Sequence, residues 1–225
     1  MKKVIITGSE GLIGACVKKD LINNGYECIC LDYKSGHDLT DEKFVKDFFS
    51  KNKADGLVNL FALNHHIDSD MKKTDLFNIS LESFEKYMKV NLTALFSVCR
   101  EYARNNDKGS VINFSSTYGI SSPRKDLYVD EEKHIGYSVS KAGVLMLSRH
   151  LATHLAPKIR VNSIVPGGVY NGQGENFLRK YSYQTPMGRM MNVDEISGAV
   201  IFLLSEGSSY VTGTEIKVDG GWTSW

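Results

Sequence analysis

The chain has 225 residues, 42% of them hydrophobic and 24% charged, with a formal net charge of +1. That length supports one sizeable core, and the composition is that of an ordinary globular chain, not a disordered or fibrous one. The near-neutral balance offers no long-range field to attract nucleic acid or an anionic membrane, so neither is expected as a partner. In the opening MKKVIITGSEG the apolar run is too short for a signal-peptide core, and no apolar stretch of membrane-spanning length follows. A cytoplasmic location is therefore expected. Cys16, Cys28, Cys30 and Cys99 form no CxxC pair and read as reduced thiols. The histidines are scattered apart from His65-His66, and without an HExxH or Cys/His cluster no metal site is expected.

KVIIT (3–7) is short, β-branched and apolar, and reads as a buried parallel strand. It runs into Gly8-Ser9-Glu10-Gly11-Leu12-Ile13-Gly14 and then ACVKKDLINNG, a helix closed by Gly25. Glycines placed between a strand and a helix let the backbone turn sharply and approach a pyrophosphate, while the helix N-terminus supplies amide donors and partial positive charge. The second strand, CICLD (28–32), ends in Asp32. A carboxylate there accepts hydrogen bonds from an adenosine ribose diol and repels a 2′-phosphate, so NAD(H) is favoured over NADP(H), and the single charge of Lys34 does not overturn that. GLVNLF (56–61), SVINFSS (110–116) and RVNSIVP (160–166) repeat the strand pattern. Between them, Phe84, Tyr87, Met88, Leu92, Leu95, Cys99 and Tyr102 recur at helical spacing and predict a helix over 80–107. A second long helix is predicted over 136–157, carrying Tyr137 and Lys141 one turn apart on the same face. No repeat or linker divides residues 1–225, which read as one domain. The alternation of strands and helices predicts a Rossmann-like, doubly wound parallel sheet with helices on both faces and its ligands at the carboxyl ends of the strands.

These motifs resemble those of the short-chain dehydrogenase/reductase family, in its compact single-domain branch, over almost the whole chain. TGSEGLIG resembles the cofactor turn, although its TGxxGxxG spacing is commoner in the family's larger sugar-nucleotide branch. HDLTD resembles the segment whose aspartate, here Asp38, and following residue, Leu39, contact adenine. LVNLFA stands where the family usually has NNAG, with only Asn59 and Ala62 matching. MKVNLTALF places Asn91 at the family's helix asparagine, INFSSTYG places Ser116 at its serine, and YSVSKAG supplies Tyr137 and Lys141. VNSIVPGGV resembles the turn that meets the nicotinamide, through Pro166, Gly167 and Val169. The C-terminal PMGRMMNVDEISGAVIFLLSEGSSYVTGTEIKVDGGW points to the compact branch. The resemblance thus implies Asn91, Ser116, Tyr137 and Lys141 as catalytic residues. It implies cofactor contacts from Gly8, Glu10, Gly11, Leu12, Ile13, Gly14, Asp32, Asp38, Leu39, Asn59, Tyr137, Lys141, Pro166, Gly167 and Val169.

By that resemblance the reaction is hydride transfer between a carbinol carbon and a nicotinamide, coupled to proton transfer at the oxygen. A free tyrosine, with a pKa of about 10, is a poor base near neutrality. A lysine ammonium one helical turn away favours the phenolate and is expected to lower that value. The resemblance also implies that Lys141 hydrogen-bonds the nicotinamide ribose, that Ser116 holds the substrate oxygen, and that Asn91 anchors a water linking Lys141 to solvent. Only residues 33–37 separate Asp32 from Asp38, where the family fits a helix and a strand. One edge βα unit is therefore expected to be reduced, leaving about six strands. The interval from Ser116 to Tyr137 is instead longer than usual. Its segment SSPRKDLYVDEEKHIG, with Arg124, Lys125, Lys133 and His134, reads either as a solvated loop or as a polar wall over the site.

The 168–190 segment, GVYNGQGENFLRKYSYQTPMGRM, lies where the family places its substrate loop. Its polar composition suits a hydroxylated or phosphorylated small molecule, with Arg179 or Lys180 as anion contacts. SSTYG followed by a long polar insertion also resembles family members from surface-polysaccharide and flagellin-sugar pathways, so a sugar-like alcohol or ketone is expected as substrate. Two rival readings stand beside this one. An epimerase or dehydratase of a nucleotide-linked sugar, using bound NAD, is favoured by the glycine spacing and opposed by the short C-terminal part. A non-catalytic dinucleotide-sensing regulator is opposed by the retention of both Tyr137 and Lys141. The resemblance implies a homotetramer or homodimer built on the two long helices and the C-terminal strand region.

Overall fold

The computed structural model describes residues 1–64, 76–128 and 133–225; His65-His66 and part of the polar insertion lie outside them. Six strands form one sheet: β1 (Lys3–Thr7), β2 (Glu27–Leu31), β3 (Gly56–Asn59), β4 (Gly109–Phe114), β5 (Ile159–Pro166) and β6 (Glu215–Val218). Their order is β2-β1-β3-β4-β5-β6 and every pair is parallel. The chain leaves edge strand β2 at Asp32, makes a single 3-10 turn over Tyr33–Ser35 and passes Gly36, at φ 84°, toward the next helix. The expected loss of one edge βα unit is what the sheet shows.

Alternation along the strands builds two core layers. Ile5, Leu57, Val111 and Val161 face α2 (Glu42–Lys51), α4 (Ala94–Asn105) and α5 (Ile135–Leu155), where Phe49, Tyr102 and Val144 fill the layer. Val4, Ile6, Val58, Ile112 and Ile164 face α1 (Leu12–Asn23) and α7 (Ser197–Leu204), against Val17, Leu21, Val200 and Leu203. A smaller third cluster joins Leu127, Tyr181, Met190 and Trp222 near α6 (Glu175–Gln184). No helix among the described residues is long and apolar enough to cross a membrane.

The helix predicted over 80–107 is present with a break in its period. α3 (Leu81–Met88) begins at Ser80, whose hydroxyl accepts from the Ser83 amide, and leads into α4 through a π-turn at Lys89–Thr93. A π-turn adds a residue to the helical repeat and rotates the faces on either side of it, and such turns concentrate at functional sites. Asn91 lies in this turn and is buried.

A polar ladder crosses the sheet interior. The Thr7 hydroxyl donates to Asn59 Oδ1 (3.0 Å), Asn59 Nδ2 donates to Asn113 Oδ1 (2.9 Å), and Asn113 Nδ2 donates to the Ser148 hydroxyl on α5 (2.9 Å). Buried amides with partners cost little, whereas a partner left alone carries its full desolvation penalty. Asn113→Ala is therefore expected to destabilise the fold by about 2–4 kcal/mol and Ser148→Ala by about 1 kcal/mol, as read from urea denaturation midpoints. Equal small losses in both variants would show that the ladder is not coupled.

Candidate active site

The strand order reverses between β1 and β3, and the crevice at such a switch point is where open α/β sheets take their ligands. Gly8 follows β1 there at φ +72°, and a Cβ on it would lie 2.5 Å from the Phe61 backbone nitrogen. A Cβ on Gly14 would lie 2.0 Å from the Gly8 carbonyl oxygen. Both neighbours are backbone and have nowhere to move, so the turn requires glycine at these positions. Side chains cap α2, α3 and α5, but α1 starts at bare Gly11 with no side-chain cap and no acidic residue in its first turn. Its leading amides, those of Leu12 and Ile13 included, are left to an anion, and the arrangement fits a dinucleotide pyrophosphate.

Asp32 ends β2 and is buried. Its Oδ2 accepts from the Glu10 amide and its Oδ1 from the Lys34 amide, both at 2.9 Å. The carboxylate thus braces the glycine turn and keeps lone pairs for a ribose diol. The Glu10 side chain accepts from the Ser35 hydroxyl, putting a second carboxylate beside the first. The remaining predicted contacts are dispersed. Asp38 Oδ1 accepts from the Thr40 amide (2.9 Å) and hydroxyl (2.8 Å), which ties it into the turn before α2, and Leu39 is a core residue. The Asn59 side chain belongs to the buried ladder, so only its backbone reaches the end of β3. Pro166 ends β5, Gly167 donates its amide to the Val218 carbonyl (2.9 Å), and Val169 bridges to Met191.

Four side chains meet at the ends of β4 and α5. Ser116 caps the 3-10 turn after β4, its hydroxyl accepting from the Tyr118 amide at 3.1 Å. A Cβ on Gly119 in that turn would lie 2.7 Å from the Lys141 carbonyl carbon, so glycine lets the turn close on α5. Lys141 is buried and donates from Nζ to the Phe114 carbonyl (2.7 Å), while the neighbouring Ser115 hydroxyl donates to the Lys141 carbonyl (2.7 Å). Tyr137 lies with its ring centroid 5.8 Å from Lys141 Nζ, and Ser116 is near enough to favour its phenolate. Asn91 Oδ1 accepts from the Leu63 amide (2.6 Å), and its Nδ2 donates to the Leu63 carbonyl (3.0 Å) and the Ser140 hydroxyl (3.0 Å). That carboxamide ties the segment after β3 to α5.

The charge balance differs from the expectation of a lowered tyrosine. Burial raises the Tyr137 phenol above its ordinary value, the nearby Ser116 hydroxyl pulling the other way. Burial also pushes Lys141 down to about 8. Removing water penalises both charged forms, and at this depth that cost outweighs their mutual attraction.

The described part of the polar insertion keeps exposed residues over 121–126 but is fastened to α6 and Tyr118 through Asp126 and Tyr128. Asp126 accepts on its carbonyl from Lys180 Nζ (2.5 Å) and on Oδ2 from Gln184 Nε2 (2.7 Å), both on α6. The Tyr118 and Tyr128 hydroxyls are 2.8 Å apart, and rings run on from Tyr128 to Phe177, Tyr181 and Trp222. Lys180 is thereby taken up in a latch, and Arg179 donates to Asn176 Oδ1 (3.1 Å). Lys133 brings its ammonium 4.6 Å from the Tyr137 ring centroid. Its place four residues before the tyrosine was a legible signal for that proximity. The aromatic latch had no periodic signal, because its members come from four separate segments. A cavity of about 510 Å³ lined by Gly168, Tyr181, Pro186 and Asp219 lies behind α6, and Ser116, Tyr137 and Lys141 do not line it.

Known proteins resemble this chain in sequence and in fold. The family described as Enoyl-(Acyl carrier protein) reductase matches residues 29–223. The chain is 27% identical to the post-translational flagellin modification protein A of Campylobacter coli, over 98% of each chain. It is 31% identical to the 3-oxoacyl-[acyl-carrier-protein] reductase FabG of Aquifex aeolicus (strain VF5), over 97% of this chain and 86% of that one. The crystal structure of a short chain dehydrogenase from Leptospira borgpetersenii serovar Hardjo-bovis (strain JB197) with bound NAD⁺ superposes with a TM-score of 0.85 at 32% identity, covering 99% of this chain and 92% of that one.

An unfolded lysine keeps its proton to about pH 10.5, but folded Lys141 only to about 8, and Lys133 behaves alike. Between these values the unfolded chain holds more protons, so stability rises with pH across the window. Above pH 10 the raised Tyr137 phenol reverses the sign. Lys141→Met is expected to flatten the rise in unfolding free energy between pH 8 and 10 measured in urea; an unchanged rise would mean that the ammonium is not buried.

Proposed function

The chain belongs to the short-chain dehydrogenase/reductase family, and from that premise we propose an NAD(H)-dependent interconversion of a secondary alcohol and a ketone on a small, polar, sugar-like substrate. One observation carries the reading: Ser116, Tyr137 and Lys141, brought from β4 and α5, converge on one spot at the carboxyl ends of the strands. The bound dinucleotide supplies the hydride acceptor or donor. Gly8, Gly11 and Gly14 with the first amides of α1 hold its pyrophosphate, Asp32 receives the adenosine ribose, and Lys141 reaches the nicotinamide ribose. The Ser116 hydroxyl holds the substrate oxygen, and the Tyr137 phenol takes or returns the proton at that oxygen. Asn91 keeps the parts in register.

Two carboxylates at the ribose position, Asp32 and Glu10, support NAD(H) over NADP(H). The polar latch and the likeness to a flagellin modification protein support a sugar-like substrate. The exposed apolar side chains Phe96, Val139 and Met146 on α4 and α5 support a homodimer or homotetramer through those helices.

Tyr137→Phe is expected to bind NAD⁺ as the wild type does and to lose about 10²–10⁴-fold in turnover. Reduced-nicotinamide absorbance across a panel of sugars, polyols and sugar phosphates measures it; undiminished turnover would remove Tyr137 from the chemistry. Net NADH formation separates this reaction from one that regenerates bound cofactor. Asp32→Asn is expected to narrow the NAD⁺ preference about tenfold or more in Kd ratios, through loss of repulsion toward the 2′-phosphate.

A further inference from the structure

Lys133 stands just ahead of α5, outside the motif that carries Tyr137 and Lys141. Its side chain is half-buried, with the ammonium over the Tyr137 ring at 4.6 Å. It donates to the Asn64 carbonyl (3.4 Å) and to Asn64 Oδ1. Asn64 follows Leu63, whose amide and carbonyl are both held by Asn91. Asn91 bonds Ser140, and the Ser140 hydroxyl donates to the Tyr137 carbonyl (2.8 Å). Lys133 is thus registered to Tyr137 through a closed circuit of polar contacts and is not a free surface arm.

Among the described residues its charge has no carboxylate counterpart, and neither has that of Lys141. Their hydrogen-bond acceptors are neutral, Asn64 for one and the Phe114 carbonyl for the other. Among the described residues, the titratable and polar groups that act on Tyr137 are Ser116, Tyr118 and Tyr128, all uncharged near neutrality. His134 beside Lys133 is turned to Ser83 and the Gly136 amide. Two ammonium groups over one ring, withdrawn from water and facing only neutral partners, leave positive charge for a ligand to neutralise. An ammonium has three N–H donors, and Asn64 offers only two acceptor atoms.

We propose that Lys133 is an anion-recognition residue of the active site, and that the substrate carries an anionic oxygen, on a carboxylate or phosphate, within a few bonds of the reacting carbon. This rests on Tyr137 being the proton-transfer residue, and it narrows the substrate from a polar sugar-like compound to an anionic one. Lys133 selects; Tyr137 and Ser116 perform the proton transfer. The burial that drives Lys133 down to about 8 also gives recognition a pH signature. An anion binds the protonated form, so its advantage holds below pH 8 and fades above it. Arginine at the same position keeps its charge throughout.

The test uses the full chain loaded with NAD⁺ and calorimetric binding of three matched probes: sorbitol, gluconate and sorbitol 6-phosphate. At pH 7 at least one anionic probe is expected to bind about tenfold or more tighter than sorbitol. Lys133→Met abolishes that preference and Lys133→Arg retains it. Raising the pH from 7 to about 9.5 erases it in the wild type but not in Lys133→Arg. Which anionic probe gains distinguishes carboxylate from phosphate. Equal binding of all three probes, or a preference that survives Lys133→Met, overturns the proposal. These are binding measurements, so their failure is separate from a failure of Tyr137→Phe to lose turnover, and thermal melts of the Lys133 variants report any general loss of fold.

Discussion

The active-site architecture depends on one carboxamide. Asn91 makes three hydrogen bonds, two to the backbone of Leu63 and one to Ser140, and so fixes the distance between the segment after β3 and helix α5. A regular helix would carry this side chain past its partners. The π-turn at Lys89–Thr93 holds it inward, a local distortion offset by one buried and two part-buried hydrogen bonds. Everything reactive then follows by rigid connection. Tyr137 and Lys141 ride on α5, Ser116 is pressed against α5 by the turn that Gly119 allows, and Lys133 reaches back to Asn64 beside the clamp. The polar ladder of Thr7, Asn59, Asn113 and Ser148 repeats the device one layer deeper, joining three strands to the same helix.

Desolvation governs the electrostatics of this cluster. A surface Tyr/Lys pair at the same spacing would keep both groups near their ordinary values. Here the lysines come down and the phenol goes up, because water is excluded before any opposing charge is supplied. Such a site is poised and not self-sufficient: its positive groups are stabilised by whatever anionic or hydroxylated ligand completes it. The same logic applies at the cofactor end with the sign reversed. The start of α1 carries no side-chain cap, and the Asp32 carboxylate holds two backbone amides, so the two features place bare donors and a negative charge side by side.

Much of this was legible in the sequence because it is written in local pattern. Short β-branched runs predicted five strands to within a residue or two, and the missing residues between Asp32 and Asp38 predicted the shortened edge. The glycine turn, Asp32, Ser116, Tyr137 and Lys141 stood in motifs whose spacing carries a physical meaning. Less was legible where contacts are long-range. Asn59 reads as a cofactor residue from its motif, yet its side chain is absorbed by the ladder, and Leu39 is absorbed by the core. The π-turn leaves the apolar period nearly intact and gives no sign of itself. The direction of the Tyr137 shift depends on burial, which no spacing reports.

The division of the chain between its two tasks follows from where residues were lost and gained. On the cofactor side the sheet stops at β2, and a single turn replaces a whole βα unit. The end of β2 is then bounded by Asp32, Glu10 and Ser35, joined by hydrogen bonds without an additional layer. On the substrate side the chain lengthens between Ser116 and Tyr137, and the added residues are fastened to α6 by Asp126, to Tyr118 by Tyr128 and to the C-terminal Trp222 through a run of stacked rings. Fastening the loop costs conformational entropy, which its contacts with α6 and Tyr118 offset. Ser116, Tyr137 and Lys141 thus sit at the end of β4 and on α5, where hydrogen bonds hold them, and the last two described residues before α5 bring the Lys133 ammonium to the Tyr137 ring and cap the helix with His134.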